Sequence, residues 1–548
     1  MLNGFTPWPP EFIERYRREG YWRGEVLSDM VRAPSRQRPD KSAVIANGRR
    51  YTYRWLDDRA DRLAAGFVAR GIRRGDRIVV QLPNTPDFIV VCIAAFRMGA
   101  LPVLALTAQR RNEINYIVEH AGAVAYVVPD FFQGFDFRNI AEDVRSVNSC
   151  LSQVFVAGDP GDFVALCDVE SAPISMPRPE PGDVAFLLLS GGTTGRPKLI
   201  PRTHDDYSFQ ISATAREMGF GPDGVYLAAL PIAHNAALGC PGVLGALYCG
   251  ATVVLAESAS PDEVFPLIAE HGVTLTTLMP AVLPVWLELA DLFAVDMSAL
   301  VIEVGGARLS PELAAQITPR LGCTLSQWFG MAEGILSFTR PGDPPERAVH
   351  TQGRPLCSAD ELLVVDGTGQ EVSPGAVGEL WVRGPCVLRG YFDSAEYNSE
   401  VFTGDGFLRT GDLASFTPSG DLVVVGRSRD TVNRGGEKVP AQEVETHLQV
   451  HHAIRSVAVL AVPDDVMGER TCAVVIPAGN PPALAELREF LVERGLAEYK
   501  LPDFLEIFDE FPLTPVGKVN KRALLETVVA ARAMRKGGEF RRPSQPQR

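Results

Sequence analysis

The stretch SGGTTGRPK, Ser190 to Lys198, follows directly on the apolar run VAFLLLS. It combines a serine, two threonines, three glycines and a lysine. Backbone N–H groups in a glycine-rich turn can converge on the oxygens of one anion, and Ser190, Thr193 and Thr194 add hydroxyl donors. Lys198 adds positive charge. Such a loop behind a buried strand suits phosphate, with the N–H groups of Gly191 and Gly192 at its centre. It is not a Walker A loop, because Gly-Lys-Ser/Thr is missing and Pro197 precedes Lys198. By itself it fits a plain surface turn equally well.

Other chemistry is easier to exclude. The nine cysteines are scattered, odd in number and without a CxxC pair, which argues against structural zinc and a disulfide framework. A reducing cytoplasm fits that usage. His204, His451 and His452 have no metal-ligand spacing with other histidines or cysteines and read as structural or surface residues. The net charge of -14 argues against nucleic acid as a partner. The N-terminus has no apolar signal core. FIVVCIAAF, Phe88 to Phe96, is far too short to span a membrane and reads as a buried helix.

A length of 548 residues predicts more than one domain. Short apolar, β-branched runs start at Gly224, Gly250, Val273 and Ala299. Helical stretches separate them. One opens SPDE, where Ser260 can cap, Pro261 takes the first helical position and Glu263 completes a capping box; it stops at Gly272. Another opens SPEL at Ser310 and stops at Gly322. This alternation predicts an α/β fold, with parallel sheets covered by helices. After Asp360 the texture changes to hairpins with Asp-Gly and Pro-Gly turns, a small β-barrel-like part. Beyond Arg429 follows a compact α+β pattern. The expected division is a large N-terminal domain at 1–428, a small C-terminal domain at 429–533 and a disordered tail at 534–548.

SGGTTGRPKLIPRTHDDY, Ser190 to Tyr207, resembles the phosphate loop of the adenylate-forming superfamily: acyl-CoA ligases, luciferases and peptide-synthetase adenylation domains. Five more stretches resemble that superfamily in order. They are VGGARLS from Val304, WFGMAEG from Trp328, RTGDL from Arg409, VVGRSRDTVNRGGEKVPAQEVE from Val424 and PLTPVGKVNK from Pro512. The resemblance covers nearly the whole chain. It implies two steps. A carboxylate attacks the α-phosphorus of ATP, releasing pyrophosphate and leaving an acyl-adenylate; a thiol then displaces AMP to give a thioester.

The same resemblance implies roles. Lys518 is the catalytic lysine bridging carboxylate and phosphate. Glu333 holds Mg2+ on the phosphate oxygens. The loop residues Ser190, Gly191, Gly192, Thr193, Thr194 and Lys198 hold the β- and γ-phosphates. Gly305, Gly306 and Ala307 are small enough for adenine to lie flat, and Phe329, Gly330, Met331 and Ala332 belong to the adenine and phosphate segments. Asp412 accepts both ribose hydroxyls, with Val424 and Arg427 beside it. The small domain is expected to be mobile, hinging at Arg429, where the superfamily usually has Asp or Lys. Gly435 and Gly436 leave room for a pantetheine arm.

The acid is read from LPIAHNAALGCPG, Leu230 to Gly242. Amino-acid-activating members place an Asp early in this region for the substrate ammonium. Here His234-Asn235 resembles the pair of the stand-alone aryl acid adenylating enzymes of siderophore pathways. Ala236, Ala237, Gly239, Gly306 and Ala332 leave a slot for a ring, and Asn235 can bond an ortho hydroxyl or the carboxylate. Cys240 and Leu336 stand where 2,3-dihydroxybenzoate enzymes tend to have Ser and Val, and both resemble the salicylate-activating members. A thiol is a poor partner for a 3-hydroxyl. Ala236-Ala237 replaces an aromatic-Pro pair, a wider floor that could admit a substituted salicylate or a hydroxypicolinate. The acceptor implied is a separate phosphopantetheinylated aryl carrier protein. Free coenzyme A is the alternative, with Arg434 and Lys438 as a basic patch for its 3′-phosphate. A non-catalytic nucleotide sensor is disfavoured by Lys518 and Glu333.

Overall fold

The computed structural model describes residues 2–190, 197–307, 309–427, 431–434, 437–464, 468–494, 496, 498–514 and 518–537. Gly191, Gly192, Thr193, Thr194, Arg429, Gly435 and Gly436 lie outside the described residues, as does the expected boundary between 428 and 429.

The four apolar runs read from the sequence form the strands Val225–Ala228, Thr252–Leu255, Leu275–Leu278 and Val301–Val304. They lie in one sheet, in the order Val301–Val304, Leu275–Leu278, Val225–Ala228, Thr252–Leu255, continued by Ser42–Ala46 on one side and Thr324–Gly330 on the other. All these neighbours pair in parallel. Side chains alternate across the strands. Ile302, Val304 and Leu278 enter one core cluster with the helices Pro261–His271, Leu283–Phe293 and Pro311–Leu321. Tyr226, Ala228 and Leu275 face the opposite way, into the largest cluster. That cluster also takes Ile78, Val80, Phe186 and Leu188 from a second sheet. The second sheet runs Leu199–Thr203, Val184–Leu189, Leu101–Leu104, Arg77–Val80, Ala125–Pro129, Gln153–Ala157, Val164–Ala165. The helix expected at Phe88 to Phe96 is Pro86–Met98, and every residue from Phe88 to Met98 is buried.

Two helix ends test the capping reading. Ser310 accepts a hydrogen bond from the Leu313 N–H at 3.2 Å, and Gly322 closes that helix in the left-handed conformation. Ser260 does not cap. Its hydroxyl turns to Asp262, and Glu263 accepts from the N–H groups of Glu257 and Ser258 in the preceding turn. The capping box fails because donors of that turn reach the carboxylate first.

The part expected to be barrel-like is an antiparallel sheet of Glu361–Val365, Gly378–Arg383, Leu408–Phe416 and Leu422–Arg427. Gln352 fastens it to the parallel sheet: its amide donates to Gln327, and its oxygen accepts the Val424 N–H at 2.8 Å. The C-terminal part is a sheet of Glu437–Pro440, Thr431–Arg434, Gly468–Pro477 and Ile454–Asp464, with Phe504–Ile507 added in parallel. Helices Ala441–Leu448 and Leu484–Glu493 build one core with this sheet, and Lys521–Gly537 builds a second. That last helix runs to Gly537, so the first residues of the expected disordered tail are helical. Met534, Arg535 and Lys536, which begin that tail, are good helix formers that continue the run Ala531, Arg532, Ala533. Among the described residues no helix is long and apolar enough to cross a membrane.

Gly334 sits where these layers meet. Its φ of +119° suits glycine, and a Cβ there would overlap the backbone carbonyl of Cys386. Gly334→Ala is expected to cost at least about 1–3 kcal/mol through overpacking against rigid backbone. A lowered midpoint in urea denaturation, relative to the wild-type chain, checks this.

Candidate active site

The strand Leu199–Thr203 hands the chain to helix His204–Glu217 through a true capping box: Thr203 accepts from the Asp206 N–H, and Asp206 accepts from the Thr203 N–H at 2.6 Å. The cap leaves Arg202, Asp206, Tyr207 and Gln210 fully buried, the last three on one helical face. Arg202 Nε donates to Asp206 at 2.8 Å and Nη2 to Gln210 Oε1 at 2.8 Å. Its Nη1 donates to the Ala332 carbonyl at 3.0 Å. Burial opposes both charges of the pair and pushes the Asp206 carboxyl up. Burial also opposes the guanidinium, but the charge and hydrogen bond of Asp206, together with Cys386 and Tyr207, outweigh it and hold Arg202 above its ordinary value.

From this hub each wall of the site is set. Gln210 Nε2 donates to the Gly239 carbonyl at 2.8 Å and to Cys240 Sγ at 3.5 Å. The Tyr207 hydroxyl donates to Asn235 Oδ1 at 2.9 Å. Asn235 Nδ2 donates to Cys240 Sγ at 3.7 Å. A Cβ at Gly239 would overlap the Tyr207 ring, so that small residue is required by packing. Ala237 has no exposed surface and Ala236 only 1%. Neighbours therefore fill the space that the sequence reading treated as a wider pocket floor. Leu336 is buried, and its side chain lies where a Cβ on Gly330 would fall.

His234 begins the short helix Asn235–Gly239. Its Nδ1 accepts the Ala236 N–H at 3.3 Å, so the neutral ring carries its proton on Nε2. Burial pushes the imidazole down to about 4, and the Lys518 ammonium adds to the shift. The segment of Lys518 is fastened by Thr514, whose N–H donates to the Lys518 carbonyl and whose hydroxyl accepts the Lys518 N–H at 3.1 Å.

Glu333 lies in a tight turn closed by the Gly334 N–H on the Met331 carbonyl at 3.0 Å. It is 8% exposed, and its carboxylate accepts the Tyr391 hydroxyl at 2.7 Å. Among the described residues no group of three or more His, Cys, Asp or Glu could hold a metal by itself. Glu333 offers a single carboxylate, oriented by Tyr391. Gly305 packs on the Trp328 ring, and Gly306, at φ +76°, packs on Met279. Ala307 is exposed, whereas Phe329, Gly330, Met331 and Ala332 are half-buried beside them. Asp412 is 4% exposed, its N–H on Thr410 Oγ1 at 3.0 Å, and it is the cross-strand partner of Arg427. Ser190 and Lys198 close the neck of the glycine loop through two hydrogen bonds of 2.9 Å. Lys198 Nζ stands 3.8 Å over the Tyr397 ring.

His204 is structural as expected: buried, with Nδ1 accepting the Leu27 N–H at 3.3 Å. His451 likewise accepts the Ala453 N–H and stacks on His452. Sequence reading passed over Arg202, Tyr207 and Gln210, although the first two lie inside a quoted stretch. It also missed Asn84, whose amide donates to the carbonyls of Ala228, Leu230 and Ala256 and so ties down the acid-pocket loop. The strand Val301–Val304 was read as continuously apolar, yet it carries Glu303, 5% exposed. A charged residue inside an apolar run was the available signal.

Residues 31–392 match the family model described as AMP-binding enzyme, and residues 443–518 match the AMP-binding enzyme C-terminal domain. The chain belongs to the AMP-binding enzyme family. It is an adenylate-forming, ATP-binding enzyme with a large parallel-sheet N-terminal domain and a smaller C-terminal domain, as the ordered motifs implied. It is 49% identical to the 2,3-dihydroxybenzoate-AMP ligase of Bacillus subtilis, over 96% of this chain and 98% of that one. It is 44% identical to the salicyl-AMP ligase / salicyl-S-ArCP synthetase of Mycobacterium tuberculosis, over 96% and 94%. The apo structure of MbtA from Mycobacterium smegmatis superposes with a TM-score of 0.75 at 44% identity, covering 95% of this chain and 98% of that one. ATP-bound MatB from Rhodopseudomonas palustris gives 0.83 at 26% identity, covering 92% and 99%.

Two outcomes follow from this geometry. Tyr207→Phe leaves Asn235 Oδ1 without its donor, which costs about 1–3 kcal/mol for a buried group. It should raise KM for the acid much more than KM for ATP, measured by pyrophosphate exchange. Burial holds His204 down to about 4 against an ordinary 6.5. Between those values the unfolded chain binds a proton that the folded chain refuses. Stability therefore falls as pH drops through that window, by up to about 1.4 kcal/mol per pH unit. Urea midpoints at pH 7.5 and pH 5 should show the wild-type advantage over His204→Asn shrinking at the lower pH.

Proposed function

We propose that this chain joins an ortho-hydroxy aryl acid of the salicylate kind to AMP, then passes the aryl group to the phosphopantetheine thiol of a separate aryl carrier protein in siderophore or related nonribosomal peptide biosynthesis. The observation that carries the acid class is Asn235. Tyr207 occupies its oxygen, so the side chain offers an N–H to the acid, suited to a carboxylate or ortho-hydroxyl oxygen. The neutral His234 beside it adds no charge that a second anion would need. Cys240 and Leu336 give a hydroxyl at the next ring carbon no good partner. The names of the two relatives, one for each acid, agree with the class and leave the choice to these side chains.

In this reading Lys518 spans the attacking carboxylate and the α-phosphate and offsets the charge that gathers between them. The loop from Ser190 to Lys198 cradles the outgoing phosphates. Asp412 takes the ribose, with Val424 and Arg427 beside it. Glu333, oriented by Tyr391, holds Mg2+, which when bound neutralises phosphate charge. Residues 429–533 form the domain that turns about Arg429 between the half-reactions, and Gly435 and Gly436 border the channel for the pantetheine arm. The carrier protein is favoured over coenzyme A by Arg434, which pairs with Asp503 at 2.8 Å and is already neutralised.

ATP–pyrophosphate exchange against salicylate, 2,3-dihydroxybenzoate, benzoate and a set of amino acids tests this. Salicylate should exceed 2,3-dihydroxybenzoate about tenfold in kcat/KM, which corresponds to about 1.4 kcal/mol. Lys518→Ala should lower exchange at least about hundredfold, the scale for losing one charge-stabilising group. Exchange with amino acids alone would overturn the reading.

A further inference from the structure

We propose that Glu445 and Lys521 are positioning residues for Lys518: their ion pair ties the segment that carries this lysine to the helix by which the C-terminal part meets the large one. The inference rests on the reading of Lys518 as the group that spans carboxylate and phosphate. The segment 512–520 is closed on itself. The Asn520 N–H donates to the Pro512 carbonyl at 2.7 Å, Leu513 bridges Val519, and Thr514 binds the Lys518 backbone. These bonds fix the shape of the segment and leave its place in the molecule open. Leu513 is 60% exposed, so packing on that side does not hold it. Its place is set at the two ends. Phe511 is buried in the core under the helix Lys521–Gly537, a contact without direction. Lys521, three residues beyond Lys518, opens that helix and makes a directed one.

Lys521 Nζ lies 2.8 Å from Glu445 Oε1, with both side chains largely buried. The same oxygen accepts the Val459 N–H at 2.6 Å. Val459 belongs to Ile454–Asp464, an edge strand whose only neighbour in its sheet is Gly468–Pro477. Side chains of this strand alternate between two cores: Val459 enters the one with helix Ala441–Leu448, Ala458 and Leu460 the one with helix Lys521–Gly537. Glu445 comes from the first helix and Lys521 from the second, so their pair joins the two helical layers round the free edge of the sheet. Glu445 sits on the buried face of its helix with Ala441, Val444 and Leu448. That helix also lies on the strand Leu422–Arg427 of the large part, which carries Val424 and Arg427. A continuous set of directed contacts thus leads from the nucleotide side of the large part through Glu445 to Lys521 and the lysine segment. A buried ion pair is weak as a source of stability, because desolvation offsets its attraction. What this one supplies is placement, and a catalytic group displaced by about 1 Å can lose about hundredfold in rate.

The test is a double-mutant cycle on the full chain, read as single-turnover formation of aryl-adenylate from ATP and the acid that exchanges fastest in the panel above. Lys521→Met should lower the rate at saturating substrates about tenfold and leave half-saturation by ATP and by the acid within about threefold, since Lys518 acts on charge that develops in the reaction. In the Lys518→Ala background the same substitution should change the rate less than about twofold, because the group it places is gone. The variant with both Glu445→Gln and Lys521→Met leaves no buried charge without its partner and should behave like Lys521→Met. Amide hydrogen exchange in Ile454–Asp464 and Gly468–Pro477 should stay as in the wild type, which separates misplacement from unfolding of the C-terminal part. Equal losses with and without Lys518, no loss in either background, or loss of protection in those strands would overturn the inference and leave the role of Lys518 standing. Wild-type rates in Lys518→Ala itself would remove that reading and the inference with it.

Discussion

The buried pair of Arg202 and Asp206 is the interaction on which the site depends. Two opposite charges without exposed surface are stable only when every donor and acceptor is used. Here they are: Asp206 binds Thr203 and Arg202, and Arg202 binds Asp206, Gln210 and the Ala332 carbonyl. Loss of one partner would leave an uncompensated buried charge, typically about 3–5 kcal/mol. The pair thus holds together three loops that are remote in sequence. One carries Glu333, one carries Asn235 and Cys240, and one follows the glycine-rich hairpin.

That arrangement follows from the sheet. Parallel strands send all their C-terminal ends to the same edge, and loops leaving that edge meet in a crevice. Val225–Ala228 leads to the acid loop, Val301–Val304 to Gly305 and Gly306, and Thr324–Gly330 to Glu333. Asn84, from the end of the second sheet, reaches across to three carbonyls of the first and fixes the distance between the sheets. The acid pocket therefore lies between two rigid layers. In the proposed reading its selectivity rests on side chains that cannot move far: Asn235 is held by Tyr207 and Cys240 by Gln210.

The C-terminal part has a different design. Its cores are its own, and Lys518 projects from a segment fastened by Thr514 rather than from the large sheets. Among the described residues it meets the large part where helix Ala441–Leu448 lies on the strand Leu422–Arg427, and through surface contacts such as Arg494 with Glu312 at 3.0 Å. In the proposed reading, a lysine supplied by a unit with its own cores can approach the reacting groups and withdraw without disturbing the acid pocket.

The sequence by itself determined the fold class and the family. Apolar runs bounded by Ser-Pro and Gly predict strands and helices because burial and capping are local demands, and Ser310, Gly272 and Gly322 met them. Ordered glycine, acid and lysine stretches identified the nucleotide chemistry for the same reason: each acts through its own few residues. Tertiary structure alone decided the rest. Ser260 and Glu263 have the residue types of a capping box, but hydrogen bonds to the preceding turn win. Ala236 and Ala237 suggest space that neighbouring side chains fill. Arg202 and Glu445 are ordinary charged residues in the sequence. Their importance lies in what surrounds them, a full set of partners for one and Lys521 with the Val459 N–H for the other, and partners from distant elements are set by packing.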